Sequence, residues 1–123
     1  MTKYEEGLKI VTEIDGRAGE EVFEALADIA PEVNNYMIEF VFGEIYAREG
    51  LSHREQEMIT LTTFLTQGNT AGQIKVHVHA ALNVGLTKEE IIGVFIHCIP
   101  FVGFPKVLNA IYVAKEVFKN ELD

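Results

Sequence analysis

Residues 70–91 read TAGQIKVHVHAALNVGLTKEEI, and the fold class is decided here. Thr70 with Gln73 and Thr87 with Glu90 both fit the Ser/Thr-x-x-Glu/Gln capping box, in which a hydroxyl and a side-chain oxygen three residues on answer the free amides of a helix's first turn. Between them stands Gly85, where a left-handed residue can satisfy the last free carbonyls of the helix before it. Ile74, His77 and Ala81 recur at helical steps. The stretch therefore reads as helix, stop and helix, and no segment of the chain alternates strictly at period two, so the class is all-α.

Working outward, Ser52 with Glu55 marks a third helix start, and Gly68 with Asn69 marks that helix's end. Downstream, Ile91, Val94, Phe95 and Cys98 continue the Thr87 helix until Pro100. Residues 99–105, IPFVGFP, hold two prolines and a glycine and predict an apolar bend, followed by a final helix carrying Val107, Leu108, Ile111, Tyr112 and Val117. Upstream, Pro31 sits where a first-turn proline belongs. It opens residues 31–50, in which Val33, Met37, Phe40, Val41 and Ile45 predict a largely buried helix of roughly four turns closed by Gly50. Residues 3–14 and 17–29 read as two more helices parted by Asp15 and Gly16, the second striped by Val22, Phe23, Leu26 and Ile29. The expectation is about seven helices in one domain over residues 1–123, with 1–30 as an N-terminal helical arm and 31–123 as the core.

Composition narrows the function. The 123 residues hold 10 Lys and Arg against 19 Asp and Glu, a net charge of −9. No polycationic surface is left to neutralise a phosphate backbone or an anionic leaflet, so neither nucleic acid nor membrane is the expected partner. Hydrophobic residues make up 48% of the chain, which excludes disorder and suggests burial against further copies of itself. Phe101 and Phe104 in the bend add to the apolar load of residues 31–46, and a homo-oligomer is expected. The single cysteine, Cys98, allows no internal disulfide and fits a reducing compartment; with no signal-like or spanning segment, the expected setting is cytoplasmic.

Chemistry is sought among polar groups on apolar faces, where burial can bring a pKa into a catalytic range. Glu57 has Leu61 and Phe64 four and seven residues on, Glu44 has Phe40 and Met37 four and seven residues before it, and His77 borders the stripe of its helix. Two inward carboxylates and one inward imidazole make an acid/base site. His97 is placed to approach His77 across a helix interface, and Lys75 and Lys106 are the cations near these helices that could hold an anion. His77 and His79 lie about 200° apart on a helix and cannot share one ion, so no metal is expected. Adjacent residues His97 and Cys98 point about 100° apart, which leaves Cys98 as a small buried apolar residue and His53 at the surface. No glycine-rich loop cradles a phosphate, and no cofactor is expected.

Taken in order, EFVFGEIYAREGLS from Glu39, REQEMITLTTFL, HVHAALNVGLTKEEI and GFPKVLNAIYVAKEVF resemble the carboxymuconolactone decarboxylase family, within the alkylhydroperoxidase D-like superfamily. The resemblance implies an alkylhydroperoxidase D-like helical fold assembled as trimers or hexamers, with sites lined by helices near subunit interfaces. In the peroxidase branch a Glu, a CxxC and a later His form a relay; the Glu falls on Glu57, the His on His77, and the cysteines on Thr70 and Gln73. Thiol–disulfide cycling needs two sulfurs, so the resemblance points to the decarboxylase branch, whose WGE-like segment falls on Phe42, Gly43 and Glu44. Gln56 stands where the family commonly has Arg, and Gly93 where it commonly has Glu. The implied function is a lyase decarboxylating a small anionic lactone or related carboxylate, with His77, Glu57 and Glu44 as catalytic groups and Gln56, His97 and Lys75 binding substrate. The alternatives are a small-molecule-binding or assembly module of the same family, and a thiol peroxidase acting through Cys98.

Overall fold

The computed structural model describes residues 1–121 and is all-α; among these residues there is no strand. The chain packs as two units, one spanning Met1–His53 and the other running from Arg54 onward.

The first unit holds α1 (Lys3–Leu26), α2 (Pro31–Tyr36) and a π-helical segment (Met37–Ile45). The N-terminus of α1 is fixed by a capping box: Thr2 Oγ1 accepts from the Glu5 amide at 3.1 Å while the Glu5 carboxylate accepts from the Thr2 amide at 3.2 Å. The two helices expected over 3–14 and 17–29 form one kinked element, because Gly16 alone leaves helical geometry (φ 54°, ψ −132°) and the hydrogen bonding resumes beyond it. Ile29, expected on the inward stripe, lies past the helix end and is 78% exposed. Residues 1–30 do not stand apart from 31–53, since α1 packs along the π-helical segment. Two glycines permit that approach: a Cβ at Gly7 would fall on the Ile38 carbonyl, and one at Gly43 on the Lys3 carbonyl.

The largely buried helix expected over 31–50 is corrected in two respects. It ends as a helix at Ile45, and from Met37 it is π-helical, as the Tyr46 amide bonding to the Val41 carbonyl at 2.8 Å illustrates. The wider turn keeps residues four apart on one face, so Ile38, Phe42 and Tyr46 point inward, with the Phe42 and Tyr46 rings stacked at 4.6 Å. Val33, Phe40 and Ile45 are exposed instead, and Met37 and Val41 are half-buried.

The second unit contains α3 (His53–Gln67), α4 (Ala71–Asn83), α5 (Lys88–His97), a single turn α6 (Ile99–Val102) and α7 (Phe104–Glu121). Leu61, Leu65, Val78, Ala81, Ile91 and Phe95 meet Val107, Ala110, Ala114 and Val117 in its core, all essentially without solvent contact. Alanines at 110 and 114 let α7 lie close against α4 and α5; of the stripe expected there, Val107 and Val117 are buried and Ile111 half-buried, whereas Leu108 and Tyr112 are exposed. The bend over 99–105 is built from the turn α6 and Gly103 at φ 96°.

Of the capping boxes expected here, that of α5 is complete. Thr87 Oγ1 accepts from the Glu90 amide at 3.0 Å and Glu90 accepts from the Thr87 amide at 2.9 Å. Thr70 does not cap α4 with its side chain; its hydroxyl donates to the Phe64 carbonyl, closing the turn in which Gly68 and Asn69 are both left-handed (φ 74° and 54°). Arg54 ties the first turn of α3 to the α5 cap, donating to the Gly85 carbonyl and pairing with Glu90 at 2.7 Å. No helix of the described residues is long and apolar enough to cross a membrane.

Two outcomes are expected in denaturation experiments. Gly7→Ala should destabilise the chain by about 1–3 kcal/mol through overpacking, whereas Gly93→Ala, where an added Cβ meets nothing within 4 Å, should stabilise α5 by about 0.5–1 kcal/mol. The Thr87 amide, and after it Arg54, hold the Glu90 carboxyl below the usual carboxylate range. A depressed pKa stabilises the fold above the ordinary value and is lost as pH falls through the depressed one, so Glu90→Gln should flatten the acid limb of the stability profile and leave the alkaline limb unchanged.

Candidate active site

The site forms where the apolar stripe of α3 is interrupted by one acid. Leu61 and Leu65 follow Glu57 at four-residue steps, and a carboxylate on that line is carried into the core with them: Glu57 is 0% exposed. Burying an unpartnered carboxylate costs several kcal/mol, on the order of a whole domain's margin of stability, so the position demands a partner. The left-handed turn at Gly68 and Asn69 sends α4 back toward α3 and supplies one. His77 Nδ1 lies 2.7 Å from Glu57 Oε1, with the His77 side chain 15% exposed.

The contact orients the imidazole from its Nδ1 edge, so that Nε2 is the ring nitrogen on the side away from Glu57. The Phe64 ring stands 5.3 Å from the imidazole at 42°, giving one side of it an apolar wall. This is the arrangement of a general acid/base whose ring is oriented by a second residue.

The other residues singled out in the sequence fall elsewhere. Glu44 was expected to point inward and does not: it belongs to the first unit, its side chain is 38% exposed, and it is ion-paired with Lys3, because the π-helical turn rotates Phe40 and its neighbours toward solvent. Gln56 is half-buried and, being next to Glu57, points about 100° away from it. Lys75 is exposed, and two residues from His77 it projects from the opposite side of α4. His97 is exposed, its ring 5.8 Å from Phe101, on the wall of a groove of about 770 Å³ that it shares with Met58, Thr62 and Cys98. Cys98 is 6% exposed and its thiol donates to the Val94 carbonyl at 3.3 Å, the geometry of a small buried apolar residue. His53, expected at the surface, is half-buried beside Tyr46, ring centroids 6.5 Å apart.

Sequence reading passed over Asn109 and Tyr112 as polar groups. Together with Lys106 they recur every third residue on α7 and line a second cavity, a periodicity visible in the sequence once the face of α7 is known.

The chain is similar to known proteins along most of its length. The chain is 30% identical over 119 residues to 4-carboxymuconolactone decarboxylase of Acinetobacter baylyi, covering 96% of this chain and 88% of that one. It is 31% identical over 98 residues to an uncharacterized 15.0 kDa protein of Paracoccus denitrificans, covering 79% and 73%. It is 24% identical over 123 residues to nitrosuccinic acid decarboxylase of Metarhizium robertsii, covering 98% and 84%. The model of the carboxymuconolactone decarboxylase family matches residues 31–116, a span that contains both members of the buried acid/base pair. With that match and a relative at 30% identity along nearly its whole length, this chain belongs to the carboxymuconolactone decarboxylase family.

Proposed function

We propose that the chain is a cofactor-independent, decarboxylase-like lyase acting on a small anionic lactone or related carboxylate. The observation that carries this reading is the 2.7 Å contact between the fully buried Glu57 and His77; two decarboxylases among the relatives support the reaction class. In such a step the bond between the carboxylate and the ring carbon breaks, CO2 leaves, and the electron pair passes into the conjugated lactone carbonyl as a dienolate. The carbon then takes a proton. His77 delivers it through the nitrogen that Glu57 does not hold, and Glu57 keeps the ring in register while the positive charge comes and goes. Glu44, paired with Lys3, is left out of the step. A cytoplasmic setting suits both a small metabolite and a lone cysteine.

The test is turnover of 4-carboxymuconolactone by the purified chain, followed by release of CO2. His77→Asn is the informative variant, since its amide can still donate to Glu57 while no second ring nitrogen remains. It should lose about two to four decades in kcat with the fold intact. No turnover by the parent chain, under conditions in which an authentic family decarboxylase works, rejects the substrate. One observation favours a second reading, a small-molecule-binding or assembly module of the family: Gln56 stands where the family commonly offers a cation to the substrate. A module of that kind would bind its ligand equally well with His77→Asn.

We further propose a homo-oligomer, trimer or hexamer. Support comes from the apolar surface that each chain leaves to solvent, with Phe101 78%, Tyr36 68%, Phe104 62% and Phe40 55% exposed, more than a monomer ordinarily presents. Light scattering at micromolar concentration should find three or six times the chain mass of 13.8 kDa. A single natively helical species at the chain mass would refute the assembly.

A further inference from the structure

Where the α3–α4 turn meets α7, the second unit holds a cavity of about 350 Å³ that the acid/base pair does not use. Its floor is apolar, formed by the buried side chains Leu65 and Ile74, and its rim is polar, formed by Thr70, Lys106, Asn109 and Tyr112. Lys106 is held in place from two sides. Its ammonium donates to the Thr66 carbonyl at 3.0 Å, and its stem crosses Gly68, where an added Cβ would stand 3.2 Å from Lys106 Cε. One of the three ammonium protons is spent on Thr66; the others are available to a ligand.

We propose that this cavity seats a carboxylate of a small organic acid, with Lys106 as its anchoring cation and Asn109 and Tyr112 as further donors. The inference rests on the decarboxylase-like reading for its link to turnover, and it supplies the positive charge that Gln56 does not. Three features favour an organic carboxylate over a wholly polar anion. An apolar floor beneath a polar rim matches a carbon skeleton that ends in a charged group. The Thr70 side chain, turned to the Phe64 carbonyl, leaves the first-turn amides of α4 without a side-chain cap, so the positive end of that helix adds to the lysine. In a chain of net charge −9, an anion needs such a local concentration of donors to approach at all. Ile74 on the cavity floor precedes His77 by three residues on α4, a rise of roughly 4.5 Å along the helix axis, so the cavity and the acid/base pair share one helix.

The experiment titrates the full chain with glutarate and follows amide shifts by heteronuclear NMR. Saturable shifts at Ala71, Gly72 and Asn109 are expected, with affinity falling at least about tenfold in Lys106→Met, the loss of one charge-assisted contact, and largely kept in Lys106→Arg. Tyr112→Phe, which leaves the Thr66 contact alone, should weaken binding severalfold and serves if Lys106→Met fails to fold. Absence of saturable shifts, equal affinity in Lys106→Met and Tyr112→Phe, or displacement of glutarate by an equal concentration of inorganic phosphate would each overturn the proposal. Turnover is read separately. Binding that depends on Lys106 without any lactone decarboxylation keeps this site and rejects the lyase reading. Decarboxylation with KM unchanged in Lys106→Met keeps the lyase reading and rejects the anchor; KM raised with kcat near parent supports both.

Discussion

A carboxylate with no solvent contact heads the buried stripe of α3, and the second unit is organised around the demand this creates. Glu57 meets the imidazole at 2.7 Å, and His77 is there because the chain reverses sharply after Gln67. Removing one partner from such a pair leaves a buried charge uncompensated, at about 3–5 kcal/mol, more than a well-packed apolar substitute would cost. A family of folds could fill the same space with leucine and be more stable. Retaining a buried acid beside a histidine therefore makes sense as chemistry rather than as stability.

Holding the pair to a hydrogen-bond distance requires that α3 not slide against its neighbours. Arg54 does part of this from one end of α3, by bridging the Gly85 carbonyl and Glu90 at the start of α5. Lys106 does part from the other end, by reaching the Thr66 carbonyl from α7. Both are charged groups on backbone carbonyls at helix ends, where the partial negative charge of a helix C-terminus suits a cation. Between these two ties Leu61 and Leu65 pack at 0% and 1% exposure, so the acid between them is positioned by a rigid element and not by a loop.

Much of this was legible in the sequence because it follows from spacing alone. Glu57 at four residues before Leu61, His77 between Ile74 and Ala81, the Thr87–Glu90 box and the left-handed turn at Gly68 and Asn69 all stand as their periodicity implies. Thr2 and Glu5 form a box just as regular, and the same pattern search would have found it. What spacing did not reveal was the π-helical segment. A helical wheel drawn at 3.6 residues per turn puts Phe40 and Glu44 on the inward side, whereas the wider turn turns both toward solvent and Phe42 and Tyr46 inward. The stripe of α7 was read correctly at Val107 and Val117 and wrongly at Leu108 and Tyr112 for a different reason: Ala110 and Ala114 carry little hydrophobic weight in a pattern, yet their small size is what brings α7 close.

Thr70 shows how one residue can separate two chemistries on a shared fold. By the resemblance read from the sequence, the peroxidase branch of the superfamily carries the sulfurs of a redox pair at this position and at Gln73, at the start of the helix that holds His77. Here the hydroxyl is committed to the Phe64 carbonyl and closes the turn between α3 and α4. The start of that helix borders the cavity that Lys106 also lines, and His77, in contact with Glu57 of α3, lies two turns further along. The proposed anion seat and the proposed proton donor thus stand on one helix, and they are the two functions that breaking a carbon–carboxylate bond requires.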